Sequence, residues 1–221
     1  MGVLMVLLTI GGLIGAALLF AIAWLNESTW LKKFVLGGVA IWFAFYIAML
    51  LGASLLSEER LIEIGDIDGK AFCGFYLDCH LHAAVTDVRK AKTIGNKTAN
   101  GEFYLVSVKV FSDAKAATLG LLTVHAHVVD AAGLTYTRDE MAEAQLTPQP
   151  EFEQTIGPGE SFKKEIVFDL PNGVELPRLD VREGYGIDHV IESFLIGDED
   201  SVFHKRAFFK ISERTDIAGV E

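Results

Sequence analysis

The chain has 221 residues, 51% of them hydrophobic, and its 19 basic and 30 acidic side chains leave a net charge of −11, with a mean hydropathy of +0.34. That is too apolar for an ordinary water-soluble domain. It is too acidic to hold phosphate backbones, so nucleic acid is excluded as a partner.

The apolar excess sits at one end. Residues 3–25 and residues 34–56 each run for 23 positions without a charged side chain, enough to cross about 30 Å of hydrocarbon at about 1.5 Å per helical residue. A backbone in lipid must satisfy its own hydrogen bonds, so each run is predicted as a helix. The first run lacks the basic start and the small-x-small site of a cleaved signal peptide. The link between them, "NESTWLKK" at 26–33, is short, which makes residues 1–56 an antiparallel hairpin of two transmembrane helices. Lys32 and Lys33 end that link, and cytoplasmic links are the basic ones. The expected placement is a two-span protein of a bacterial inner membrane, its link inside and its C-terminal domain in the periplasm. Glu27, Lys32 and Lys33 are the charges of residues 1–56, so residues 57–221 carry −12.

Small residues recur at Gly11 and Gly15 in the first run and at Ala40, Ala44, Ala48 and Gly52 in the second. Rows of this kind let helix backbones approach closely, and van der Waals contact holds helices together in lipid. Part of these rows is expected to close the hairpin on itself and the rest to face other membrane subunits. Trp24 and Trp30 sit where an interfacial aromatic belt would place them. Neither run contains an ionisable residue, whereas transporters, proton channels and haem sites need them at membrane depth. The hairpin is therefore read as an anchor and docking element.

From Glu58 onwards the apolar period changes. Residues 103–111 alternate, with Tyr104, Val106, Val108 and Val110 facing one way, and residues 121–129 alternate with Leu122, Val124, Ala126 and Val128 together. Further strands are predicted at 162–170 and 203–211, with turns at 95–101, 130–133, 157–159 and 171–173. Residues 137–146 read as the one helical stretch, broken by "TPQPE". Short strands at this spacing predict an all-β antiparallel sandwich over residues 57–221, large enough for a single core.

Two His-x-His pairs fall in this domain. Along 77–85 the alternation puts Leu77, Cys79, Leu81, Ala83 and Val85 on the apolar face and His80 and His82 on the other, and His125 and His127 likewise oppose the apolar face of their strand. Imidazoles two apart on a strand project together, an arrangement that binds zinc or copper. Were the two strands neighbours in register, His80, His82, His125 and His127 would cluster; the same residues equally suit two outward polar faces. Cys73 and Cys79, in an oxidising compartment, either close a small loop as a disulfide or leave Cys79 as a buried thiol. The acidic turns at 66–69 and 197–200 complete no calcium loop, and no nucleophile elbow is present. No catalytic residue and no cofactor is expected.

The turn formed by Asp130, Gly133 and Tyr136, followed by Pro158, Gly159 and Ser161 and then by Val167, Phe168, Asp169, Leu170 and Pro171, resembles the telokin-like, immunoglobulin-type sandwich domains of bacterial membrane proteins and lipoproteins. The resemblance covers about residues 80 to 212. It implies an immunoglobulin-like sandwich acting as an extracytoplasmic interaction domain, with no catalytic set to carry over. The paired histidines, the two cysteines and the hairpin depart from it. A fold does not by itself give a function. The expected function is a non-catalytic accessory subunit of a larger membrane complex, respiratory or photosynthetic, with other membrane subunits and the lipid bilayer as partners. The alternative is a membrane-anchored copper or zinc module on the four histidines.

Overall fold

Two helices take up the two apolar runs in the computed structural model, which describes residues 2–74 and 78–212. Helix α1 spans Gly2–Leu25 and α2 spans Thr29–Leu55, both long and apolar enough to cross a membrane. A tight reversal at Asn26–Ser28, with Glu27 in the left-handed region at φ 53°, turns one into the other. Ala23 and Val35 are buried between them, and the Trp42 indole donates to the Thr9 hydroxyl at 3.1 Å.

The small-residue rows do not close this hairpin, against expectation. A Cβ added at Gly11, Gly15 or Gly52 would meet no atom within 4 Å, and Ala40, Ala44 and Ala48 are exposed. The physical reason is the company these residues keep. Leu8, Leu13, Leu19, Phe34 and Trp42 share the seam with Gly12 and Gly15 and hold the backbones apart over an apolar groove of about 500 Å³.

The second unit is an all-β sandwich. A four-stranded antiparallel sheet has the order β2 (Lys70–Gly74), β3 (Asp78–Ile94), β4 (Lys97–Ser112), β7 (Ser161–Leu170). Facing it is a five-stranded sheet, ordered β1 (Arg60–Ile62), β9 (Ala207–Lys210), β8 (Arg178–Glu183), β5 (Val124–Val129), β6 (Thr135–Thr137). The sheets are not wholly antiparallel as expected, because β1 and β9 pair in parallel. The long connection between them leaves either direction open, whereas a short reversal would force an antiparallel pair. Tyr104, Val106, Val108 and Val110 pack with Leu81 and Val85 against Val124, Val128, Leu179, Val181 and Phe209 of the other sheet. Burying each Val, Leu or Phe contributes about 1.5–3 kcal/mol.

The expected turn at 95–101 shrinks to Gly95 and Asn96, and residues 97–101 extend the long β3–β4 hairpin. The expected helix at 137–146 shrinks to α3, Glu140–Glu143, because Thr135–Thr137 pair with β5 instead. Asp139 caps α3, its Oδ1 accepting from Ala142 N at 2.9 Å. Ala142 and Leu146 cover Ile94, Phe103, Leu105 and Val167 on the outer face of the four-stranded sheet. The strand expected at 203–211 begins only at Ala207.

The chain divides into Met1–Glu59 with Gly186–Arg206, and Arg60–Tyr185 with Ala207–Glu221. The expected boundary at 56/57 thus moves to 59/60, and the domain expected over 57–221 gives residues 186–206 to the helical unit. Contacts explain the transfer. Tyr46 Oη donates to Phe194 O at 2.5 Å, Ser54 Oγ lies 3.3 Å from Ser201 Oγ, and Lys205 N donates to Ser57 Oγ at 2.8 Å. Gly2 approaches so closely that an added Cβ would stand 2.9 Å from Ile196 O.

Candidate functional site

The histidine pairs lie in different sheets, His80 and His82 on β3 and His125 and His127 on β5. The four-imidazole cluster is therefore not assembled, since strands of two facing sheets share no ladder. Asp113 meets both histidines of the first pair, and Asp180 meets His127 of the second. His80 Nδ1 lies 2.6 Å from Asp113 Oδ1 and His82 Nε2 lies 3.5 Å from Asp113 Oδ2, and the His82 ring stacks on Phe111 at 5.0 Å. The His80 hydrogen bond, with the charge His82 can carry, holds the Asp113 carboxyl below its ordinary value.

On the other sheet His127 Nε2 lies 3.3 Å from Asp180 Oδ2. Arg182 donates to the same oxygen through Nε at 2.9 Å and Nη2 at 2.6 Å. Asp180 has no exposed surface. Burial alone would raise its carboxyl, but the His127 hydrogen bond and the Arg182 and Lys70 charges outweigh it and hold it below the usual range. Lys70 is itself buried and donates to Val181 O at 2.8 Å. A fully desolvated carboxylate between two fixed cations is a structural network.

Cys73 and Cys79 form a disulfide. Cys79 is exposed, not on the core face. The β2–β3 ladder shifts register between Phe72 and Gly74, where the strands run past the core and the alternation loses its meaning. Leu81, Ala83 and Val85 keep the apolar face; Leu77 lies outside the described residues.

Asp130, Gly133 and Tyr136 build a corner. Asp130 Oδ1 accepts from Ala132 N and Leu134 N, each at 2.9 Å, and its Oδ2 accepts from the Tyr136 hydroxyl at 3.0 Å. Gly133 takes φ +80°, which favours glycine. Burial would raise the Asp130 carboxyl, but these donors hold it below its ordinary value.

Sequence reasoning missed the polar cluster of the helical unit. His189 and Glu192 stand one turn apart on α4 (Gly186–Glu192), Nδ1 to Oε2 3.0 Å. Asp200 brings a carboxylate oxygen close enough that all three ligand atoms lie within 4.8 Å of one another. These are the described residues whose His and carboxylate atoms converge as divalent-cation ligands do. Arg206 also reaches Asp200 at 2.9 Å, so an internal cation already faces the cluster. The i, i+3 spacing of His189 and Glu192 was visible; the fold-back that delivers Asp200 was not.

Residues 78–189, about half of the chain, match the family described as domain of unknown function DUF4352. No curated protein matches the chain. Among solved structures it is similar to MPT63, a secreted protein from Mycobacterium tuberculosis, with 13% identity, a TM-score of 0.42, and coverage of 69% of this chain and 98% of that one. It is also similar to an uncharacterized β-sandwich protein from Clostridium difficile 630, with 13% identity, a TM-score of 0.36, and coverage of 71% and 96%.

Proposed function

The chain belongs to the DUF4352 family, whose description names no activity, and on the geometry above we propose that it is a non-catalytic accessory subunit of a larger membrane complex. In this reading α1 and α2 span a bacterial inner membrane, and the acidic, immunoglobulin-like sandwich stands on the periplasmic side, where it braces neighbouring subunits. The observation that carries the reading is the outward face of the helices. Gly11, Ala40, Ala44 and Ala48 are exposed, and a Cβ added at Gly11 would meet no atom within 4 Å, so surfaces suited to intimate helix contact are left unused by the chain's own hairpin. Two further features support it. The Cys73–Cys79 disulfide suits an oxidising compartment, and His80 and His82 are tied to Asp113 while His127 is tied to Asp180 on the other sheet.

The test is purification of the full chain from native membranes in mild detergent, followed by mass spectrometry of the intact assembly. The expected result is a stable complex with other membrane proteins, lost or reduced when Gly11→Leu or Ala44→Leu fills the exposed rows. Migration as a lone chain under conditions that preserve other membrane complexes would sink the reading.

A further inference from the structure

We propose that residues 186–206 are seated in the acyl-chain layer of the bilayer, as a partly inserted third element beside α1 and α2; this rests on reading those helices as membrane spans. The segment is inside out. In water an excursion from a sandwich buries its apolar side chains and exposes its charges. Here Ile187, Val190, Ile191, Phe194 and Phe203 are 65, 55, 41, 56 and 71% exposed. The side chains of His189, Glu192 and Asp200 are only 30, 15 and 12% exposed.

Ile187, Val190, Ile191 and Phe194 follow the i, i+3, i+4, i+7 spacing of one helix face. The helical path runs on past Glu192, with Ser193 N donating to His189 O at 3.1 Å. His189, Glu192, Asp200 and Ser201 turn inward and find partners, while Lys205, where the segment returns to β9, stays exposed. His189 meets Glu192, Arg206 meets Asp200, and Ser201 meets Ser54. Side chains surrounded by lipid must do this, because no water is available to them. An outward apolar face over an inward polar one means that the medium around the segment is apolar.

Depth agrees. Tyr46, whose hydroxyl holds Phe194 O, lies nine residues before the end of α2 at Leu55, about 13 Å along the axis. Ile191 and Phe194 line an apolar cavity of about 310 Å³ with Val6, Thr9, Ile10 and Phe43. Thr9 is seven residues into α1 from Gly2, about 10 Å. A hydrocarbon layer of about 30 Å centred on α1 therefore reaches Phe194 in its outer third. The exposed face of the segment continues the apolar surface of the two helices at the same level, which favours lipid over a protein as its cover.

The experiment labels Ile187→Cys, Val190→Cys and Phe203→Cys with a nitroxide in the full chain, one at a time, with Cys73 and Cys79 still bridged. The protein is reconstituted in phosphatidylcholine–phosphatidylglycerol vesicles. Two exposed positions serve as references, Leu18→Cys within α1 and Leu134→Cys on the sandwich. Oxygen accessibility relative to a water-soluble nickel chelate should match that at Leu18 and exceed that at Leu134. Chelate accessibility equal to that at Leu134 overturns the proposal, and so does low accessibility to both reagents, which would mean a protein cover. If Leu18 itself reports water, the membrane reading falls and takes this seat with it; if Leu18 reports lipid and the segment does not, the seat alone falls.

Discussion

His127 and Asp180 stand directly opposite each other in the β5–β8 ladder, Nε2 to Oδ2 3.3 Å, at the one place where the five-stranded sheet buries a carboxylate completely. Asp180 is also where Arg182 and the buried Lys70 find their counter-charge. Removing it leaves cations out of water without compensation, which costs about 3 kcal/mol or more. Asp180→Ala should lower the melting temperature of the sandwich by roughly 6–12 °C, read by circular dichroism of the full chain in detergent. A change near zero would mean that the network is solvated and adds nothing.

The same carboxylate sets a pH dependence. Asp180 and Asp130 both titrate below their ordinary values in the folded chain. Groups with depressed folded pKa stabilise the fold above the unfolded pKa of about 4, and that stabilisation is lost as pH falls through the folded values. Thermal melts should be flat from about pH 7 to 5 and fall steeply below about pH 4, with Asp180→Asn flattening the acid limb. A loss that begins above pH 6 would contradict this assignment.

Asp130 organises its corner through three donors. Asp130→Ala should unlock the turn and raise deuterium uptake across residues 130–137, with a smaller rise for Tyr136→Phe, which removes only the hydroxyl. Equal uptake in both variants and in the unaltered protein would show that the backbone turn holds itself.

Cys73 and Cys79 close a loop with a sequence separation of 6. A loop this short stabilises by about 2 kcal/mol in the chain-entropy view. Reduction, or the Cys73→Ala, Cys79→Ala pair, should therefore loosen the β2–β3 edge but leave the sandwich folded. The check is alkylation before and after reduction, with melting of both forms. Complete unfolding on reduction would show that the bridge supports more than this edge.

The parts of this fold that could be read from sequence are those with uninterrupted periods. The alternation from Tyr104 to Val110 placed β4, and the two charge-free runs placed α1 and α2, since each pattern is satisfied locally. Cys79 was misplaced because alternation predicts a face only while a strand has a core beneath it. The spacing of Gly11, Gly15 and Ala40 to Ala48 was visible, but which neighbour they meet depends on the bulk of Trp42 and Phe34 across the seam. β8 was missed because Asp180 and Arg182 break the apolar pattern, and their pairing across strands is a tertiary fact. The fold-back of 186–206 was invisible for the same reason. Sequence assigned it no element before the strand expected at 203–211, and its place against α2 shows only in the contacts of Phe194 and Ser201.

That fold-back depends on few polar contacts. The Tyr46 hydroxyl is the donor to Phe194 O at 2.5 Å, and Ser54 and Ser201 share a buried hydroxyl pair. A hydrogen bond of this kind contributes about 1 kcal/mol, and more when its loss strands a buried carbonyl. Tyr46→Phe keeps the ring and removes the donor, so residues 187–200 should open roughly fivefold more often. Ser54→Ala should have a smaller effect, because Ser201 Oγ also donates to Asp198 O at 2.8 Å. Hydrogen exchange of the full chain in detergent measures both. Exchange confined to 187–200 and unchanged in β4 and β7 would assign the contact to the helical unit, whereas a rise across the sandwich would mean that the segment belongs to the β domain after all.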